Sequence, residues 1–118
     1  MNIEDLRAYC LTKKGTTEEF PFDEVTLVFK VQGKMYALIS LDSERSSIAL
    51  KCDPEKAVEL REQYDDIIPA PHFNKKHWNL LHTDNGLNKE LIQELIEHSY
   101  NLVVAKLTKK LRDELVGM

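Results

Sequence analysis

Cysteine, proline, glycine and tryptophan are scarce in this chain of 118 residues, at two, four, four and one. Two isolated cysteines, Cys10 and Cys52, cannot build the multi-bridge framework of a small secreted domain. Both sit within apolar patterns and read as buried thiols that fill a core. With so little glycine and proline there is no low-complexity linker and no repeat, so one domain spanning 1–118 is expected. Apolar runs such as Tyr36 to Ser40 and Leu102 to Ala105 are far too short to cross a bilayer, so no membrane partner is expected. The start, Met1-Asn2-Ile3-Glu4-Asp5, is acidic and has no apolar segment behind it, so cytoplasmic residence is expected.

Catalytic signatures are missing as well. There is no glycine-rich phosphate loop, no nucleophile elbow and no HExxH zinc motif. Ser40, Ser43, Ser46 and Ser47 cluster at a turn, where serine is ordinary. The expectation is a protein that is not an enzyme and needs no cofactor, with the monomer favoured. Excess positive charge is also absent: 16 Lys and Arg face 20 Asp and Glu, a formal net charge of −4. Strong indiscriminate binding to nucleic acid depends on cations neutralising phosphates, so it is not expected. The distribution is uneven, however. The first two dozen residues and Asp53 to Asp66 are acidic, whereas Lys106, Lys109, Lys110 and Arg112 make the C-terminal end basic.

Regular patterns fill most of the chain. Asn2, with Asp5 three residues later, starts a short amphipathic helix through Ile3, Leu6, Tyr9, Cys10 and Lys13 that stops at Gly15. Gly15 to Phe22, GTTEEFPF, reads as a loop whose Phe20 and Phe22 pin the chain to the core. Val25 to Val31 and Lys34 to Leu41 alternate as strands, and Gln32-Gly33 between them predicts a tight hairpin. That register sets Phe29 opposite Tyr36 and Leu27 opposite Leu38, with Ala37 and Ile39 on the lighter face. Ser46 to Cys52 continues the meander. Asp53-Pro54 caps a second helix that runs to about Asp65. Asp66 to Phe73, carrying Pro69 and Pro71, cannot be helical inside. His77 to Thr83 is the fourth strand. Asn88 caps a helix with a Leu91, Ile92, Leu95, Ile96 stripe. Ser99 either caps the chain again, dividing two helices, or the helix runs on. Val104, Leu107, Leu111 and Leu115 line one face beyond it. The order predicts an α+β two-layer sandwich, with a mostly antiparallel four-stranded sheet and helices on one face.

Candidate function concentrates in PHFNKKHWN, Pro71 to Asn79. Lysines beside an aromatic ring suit phosphate contact and base stacking, and asparagine can read adenine edges. The competing expectation makes Trp78 a core anchor whose indole N–H donates to a carbonyl, with Asn74 capping a turn. His72, His77 and His82 are five apart, a spacing that aligns ligands on neither strand nor helix, so no metal is expected there. Lys106, Lys109 and Lys110 form a second basic patch, alternatively a solvated helix face near a negative dipole end.

GTTEEFPF, FKVQGKMYAL, LKCDPEKAVELREQY, IIPAPHFNKKHWN and ELIQELIEHSYNLVVAKLTKK together resemble the MmcQ/YjbR family of small bacterial proteins, in order and over nearly the whole chain. The resemblance implies a frataxin-like (CyaY-like) fold and weak, salt-sensitive DNA binding. Lys75, Lys76, His77 and Asn74 would then contact the nucleic acid, joined by Lys106, Lys109 and Lys110. Where the family carries PGYH this chain has PAPH, without the flexible glycine. The alternative is a binding module for a protein or small ligand, its groove lined by His72, Asn74 and Trp78. The fold analogy adds a third reading, iron held by carboxylates among Glu4, Asp5, Glu18, Glu19, Asp23 and Glu24.

Overall fold

The computed structural model describes residues 1–118. In chain order the elements are α1 (Ile3–Leu11), β1 (Thr16–Glu19), β2 (Thr26–Val31), β3 (Lys34–Ser40), β4 (Ser47–Lys51), α2 (Pro54–Gln63), β5 (Ile67–Pro69), β6 (Trp78–His82), α3 (Lys89–Ala105) and α4 (Lys109–Val116). The strands form one antiparallel sheet in the order β1-β2-β3-β4-β6-β5. The α+β class and the antiparallel sheet agree with the sequence; the strand count does not, since there are six rather than four. Both added strands lie at edges. β1 carries Glu18 and Glu19, and β5 is three residues ending in Pro69. Short, charged or proline-bearing segments are how edge strands avoid further pairing, and the same chemistry makes them read as loops.

Local signals set the helix starts. The Asn2 side chain accepts from the Asp5 N–H at 2.8 Å while Asp5 accepts from the Asn2 N–H, a reciprocal capping box. Asp53 caps α2, Asn88 caps α3 and Thr108 caps α4, each accepting from an N–H in the first turn. No helix is long and apolar enough to cross a membrane.

Gln32 and Gly33 both take positive φ, 49° and 77°, the geometry that a tight two-residue hairpin requires. Its predicted register is wrong by one residue. Phe29 pairs with Ala37 and Leu27 with Ile39, because the ladder slips between Phe29 and Lys30 and leaves Tyr36 as the extra residue. Since side chains alternate along a strand, one inserted residue reverses the faces beyond it. Ala37 and Ile39 therefore join the helix-covered core, and Leu38 turns to the opposite face.

Two clusters of buried side chains result. The larger lies between the sheet and the helices and holds Leu6, Phe29, Tyr36, Ile48, Leu60, Leu81, Ile92, Ile96 and Leu115 among others. The smaller, on the other face, holds only Val28, Leu38, Ala49, Ala70 and Trp78, covered at its margin by Phe73, Met35 and Leu80. No helical residue contributes to it, so the helices occupy one face, as expected. Phe20 and Phe22 belong to neither cluster and are 48% and 63% exposed, contrary to the expectation that they pin the chain. They follow an edge strand, beyond which there is no further layer to receive them.

Cys10 and Cys52 are buried and unbridged, and burial pushes their thiols up to about 12 and about 11. Both stay protonated at neutral pH, as core-filling thiols do. His98 has a more delicate role. Its Nε2 accepts from the Asp53 N–H at 3.2 Å, tying α3 to the start of α2. Burial, reinforced by Lys56, holds this imidazole below the ordinary value of 6.5. Its contribution to stability is therefore complete above pH 6.5 and is lost as pH falls through the lower folded-state value. The midpoint of urea unfolding is expected to drop as pH falls below the ordinary imidazole value of 6.5, and more shallowly in His98→Asn. Identical slopes for the two proteins would show that His98 is not the linked group.

Candidate anion-binding site

The Pro71–Asn79 corner is built by its own backbone. The Ala70 N–H donates to the Trp78 carbonyl, and the His77 and Trp78 N–H groups both donate to the Asn74 carbonyl. The Asn74 side chain accepts from the Lys76 N–H at 2.9 Å, so it caps the turn as the sequence suggested. His72 takes φ +68°, a left-handed conformation made without the glycine that PAPH lacks nearby. Arg61 from α2 reaches across to the Lys75 carbonyl at 2.8 Å and to Asn79 Oδ1 at 3.0 Å. Asn79 is buried and donates in turn to the Ala57 carbonyl. Asn74 is thus engaged in holding the turn, and its oxygen is not free to read a base.

Trp78 is 8% exposed and packs against Phe73 with ring centroids 5.2 Å apart. It anchors the small cluster, as one of the two readings required. No carbonyl accepts from its indole N–H, contrary to expectation; because no fully buried side-chain nitrogen lacks a partner, that N–H reaches solvent. With so little of the ring accessible, Trp78 cannot serve as a stacking platform.

The two basic patches do not merge. Lys75 and Lys76 are exposed beside α2, in an open concavity of about 670 Å³ that they share with Glu55, Val58, Glu59 and Arg61. Two carboxylates therefore offset the lysines' field. Lys109 pairs with Asp113 at 3.9 Å on the exposed face of α4, and Lys110 is exposed beside it. Of the residues expected to line a groove, Trp78 lines the pocket at the sheet's end, whereas His72 and Asn74 line neither that pocket nor the concavity beside α2.

A different set converges instead. At one end of the sheet, where β3 begins, β4 ends and β6 begins, Trp78, Met35, Val103 and Leu107 line a pocket of about 280 Å³ rimmed by Lys34, Lys51 and Lys106. Lys51 and Trp78 are directly paired across β4 and β6, and Lys106 caps the end of α3. The pocket lies on the seam between the two buried clusters, where α3 turns away and nothing covers the strand ends. None of these three ammonium groups has a carboxylate within 4.0 Å, whereas Lys13, Lys30, Lys56 and Lys109 are all paired. Partial burial, and then the charge of Lys106, lowers the Lys51 ammonium below its usual value. The site is thus electrostatically uncompensated: an anion would relieve both effects. Of the predicted residues only Lys106 and Trp78 belong to it. Lys34 and Lys51 were missed, although both are lysines at strand ends that an antiparallel meander brings to the same side.

The carboxylates proposed for iron are largely engaged. Glu18 is held by Arg7, Glu19 by Lys30, Asp5 by the capping box, and Asp23 accepts from the Val25 and Thr26 N–H groups. No three His, Cys, Asp or Glu side chains gather where they could hold a metal.

The fold and site define a class: an α+β domain on a six-stranded antiparallel sheet, helices on one face, with a lysine-rimmed pocket at the sheet's end. Within that class the chain belongs to the YjbR family, which matches residues 11–102. The uncharacterized protein YjbR of Escherichia coli (strain K12) is 33% identical over 118 residues, with 100% of both chains covered. The uncharacterized protein YbdF of Escherichia coli O157:H7 is 37% identical over 106 residues, 84% of this chain and 87% of that one. The crystal structure of Deinococcus radiodurans protein DR2400 is similar with a TM-score of 0.91 at 42% identity, covering 97% of this chain and 87% of that chain. A Pseudomonas syringae protein of known structure gives 0.74 at 30% identity, covering 86% and 98%.

Proposed function

We propose that the protein is a non-enzymatic, cytoplasmic DNA-contacting protein that engages phosphates through Lys34, Lys51 and Lys106 around Trp78. The observation that carries this reading is the convergence of three unpaired lysines on one concavity in a chain of net charge −4. The other lysine-bearing concavity, beside α2, is also lined by Glu55 and Glu59, whereas no carboxylate lines this one. Lys75, Lys76 and Lys110 are then peripheral cations that add to the field without forming the site. With few phosphates neutralised, affinity lies in the non-specific range of roughly 10⁻⁴ to 10⁻⁶ M or weaker; the salt slope is shallow, yet so weak a complex is lost by physiological salt.

Titrating labelled single-stranded and duplex DNA at low and physiological salt tests this. Lys51→Ala/Lys106→Ala is expected to weaken low-salt binding by roughly tenfold or more, as the loss of two charged contacts requires. Lys75→Ala/Lys76→Ala is expected to change it only about twofold. The reverse ranking would move the contact surface back to the corner, and no saturable binding at low salt would sink the proposal.

A further inference from the structure

The pocket's size and charge select among phosphates. At about 280 Å³ it sits just below the usual span of ligand-pocket volumes, roughly 300–1,000 Å³. It is a compact, partly open notch at the end of a sheet. Its apolar lining is formed by Met35, Val103, Leu107 and Trp78. Nothing there can stack a run of bases. The cations, by contrast, are crowded: three lysines rim this small volume, and none has a carboxylate within 4.0 Å.

Internal phosphodiesters carry one negative charge each and are flanked on both sides by chain. A terminal phosphomonoester carries about −1.5 to −2 at neutral pH, exposes three acceptor oxygens and is flanked by chain on one side only. Compact and rimmed by three lysines with no carboxylate among its lining residues, the notch matches the more highly charged monoester better. We infer that Lys34, Lys51 and Lys106 bind a terminal phosphomonoester in preference to an internal phosphodiester, carried either by a nucleic-acid strand end or by a free nucleotide-sized molecule. This deepens the DNA reading and rests on it for the strand-end case. The lysine ammonium groups donate the hydrogen bonds, and the apolar wall takes the sugar or its equivalent.

The probes are one single-stranded oligonucleotide with a terminal phosphate, the same strand with a terminal hydroxyl, and a free nucleoside monophosphate. Each is titrated by anisotropy or calorimetry at low salt. The phosphorylated strand is expected to bind roughly tenfold tighter than its hydroxyl twin, and the preference to vanish in Lys51→Gln and Lys106→Gln. These variants keep the fold, because neither ammonium donates within the protein and Lys51 uses only its backbone N–H, to Ser99. Competition by the free monophosphate assigns the site to a small molecule; its failure, with the end preference intact, assigns it to strand ends. Equal binding of the two strands overturns this inference and leaves the DNA reading standing. Monophosphate binding with no strand binding sinks the DNA reading and keeps the pocket. If none of the three binds, both are wrong.

Discussion

Replacing Trp78 with alanine is expected to lower the unfolding free energy by about 3–5 kcal/mol, the range for large aromatic truncations in a core. The cluster on the open face of the sheet has only five buried members, and the indole is by far the largest of them. Phe73, which packs on it at 5.2 Å, loses its partner, and Val28, Leu38 and Ala49 are left against a void that no helix can close. A domain of this size has a net stability of only about 5–15 kcal/mol, so the variant unfolds at markedly lower denaturant. Trp78 is the sole tryptophan, so circular dichroism should follow the transition. A cost below about 1 kcal/mol would mean that the ring decorates the surface and does not anchor it. Trp78→Phe, which keeps part of the contact, is expected to fall between the two.

The second large effect is expected at Ser99. Its hydroxyl donates to the Tyr36 carbonyl at 2.6 Å and accepts from the Lys51 N–H at 2.9 Å. Those two backbone groups are where the β3–β4 ladder stops, since its direct pairs are Ala37 with Leu50 and Leu38 with Ala49. The extra residue in β3 carries Tyr36 out of register, and one hydroxyl from α3 spans the gap. The serine is fully buried, so Ser99→Ala strands a donor and an acceptor where water has no ready access. At about 1–3 kcal/mol for each of the two unsatisfied groups, the expected loss is about 2–6 kcal/mol. Amide exchange at Lys51 should accelerate alongside it. An unchanged midpoint with a still-protected Lys51 amide would show that the strands re-pair without the serine. Because Lys51 also rims the pocket, the same variant is expected to weaken anion binding.

Ser99 also shows where pattern reading stops. In sequence it is a polar residue that either caps the chain again or lies within a helix that runs on, and α3 does run on through it. Neither reading shows that it repairs a break in a sheet, because the break depends on a bulge 63 residues away in the chain. The bulge itself is invisible to periodicity, since Tyr36, Ala37 and Ile39 are all apolar and fit either register. β1 and β5 escaped for the opposite reason: edge strands are selected to look unlike strands. The site divides in the same way. Trp78 as an anchor and Asn74 as a turn cap are local properties, and both were legible. Lys34 and Lys51 were not, because their significance lies in being neighbours of Trp78 and Lys106.

By itself, then, the chain determined what short-range chemistry determines: three of the four helix caps, at Asn2, Asp53 and Asn88, the Gln32-Gly33 hairpin, the apolar stripe of α3, the buried thiols and the α+β class. Tertiary structure decided which lysines meet. Lys75 and Lys76, adjacent in sequence, face the carboxylates of α2, whereas Lys34, Lys51 and Lys106, scattered over more than seventy residues, share one notch. Coulomb interactions act through space and not along the chain, so only the antiparallel order of the strands and the end of α3 could bring that charge together.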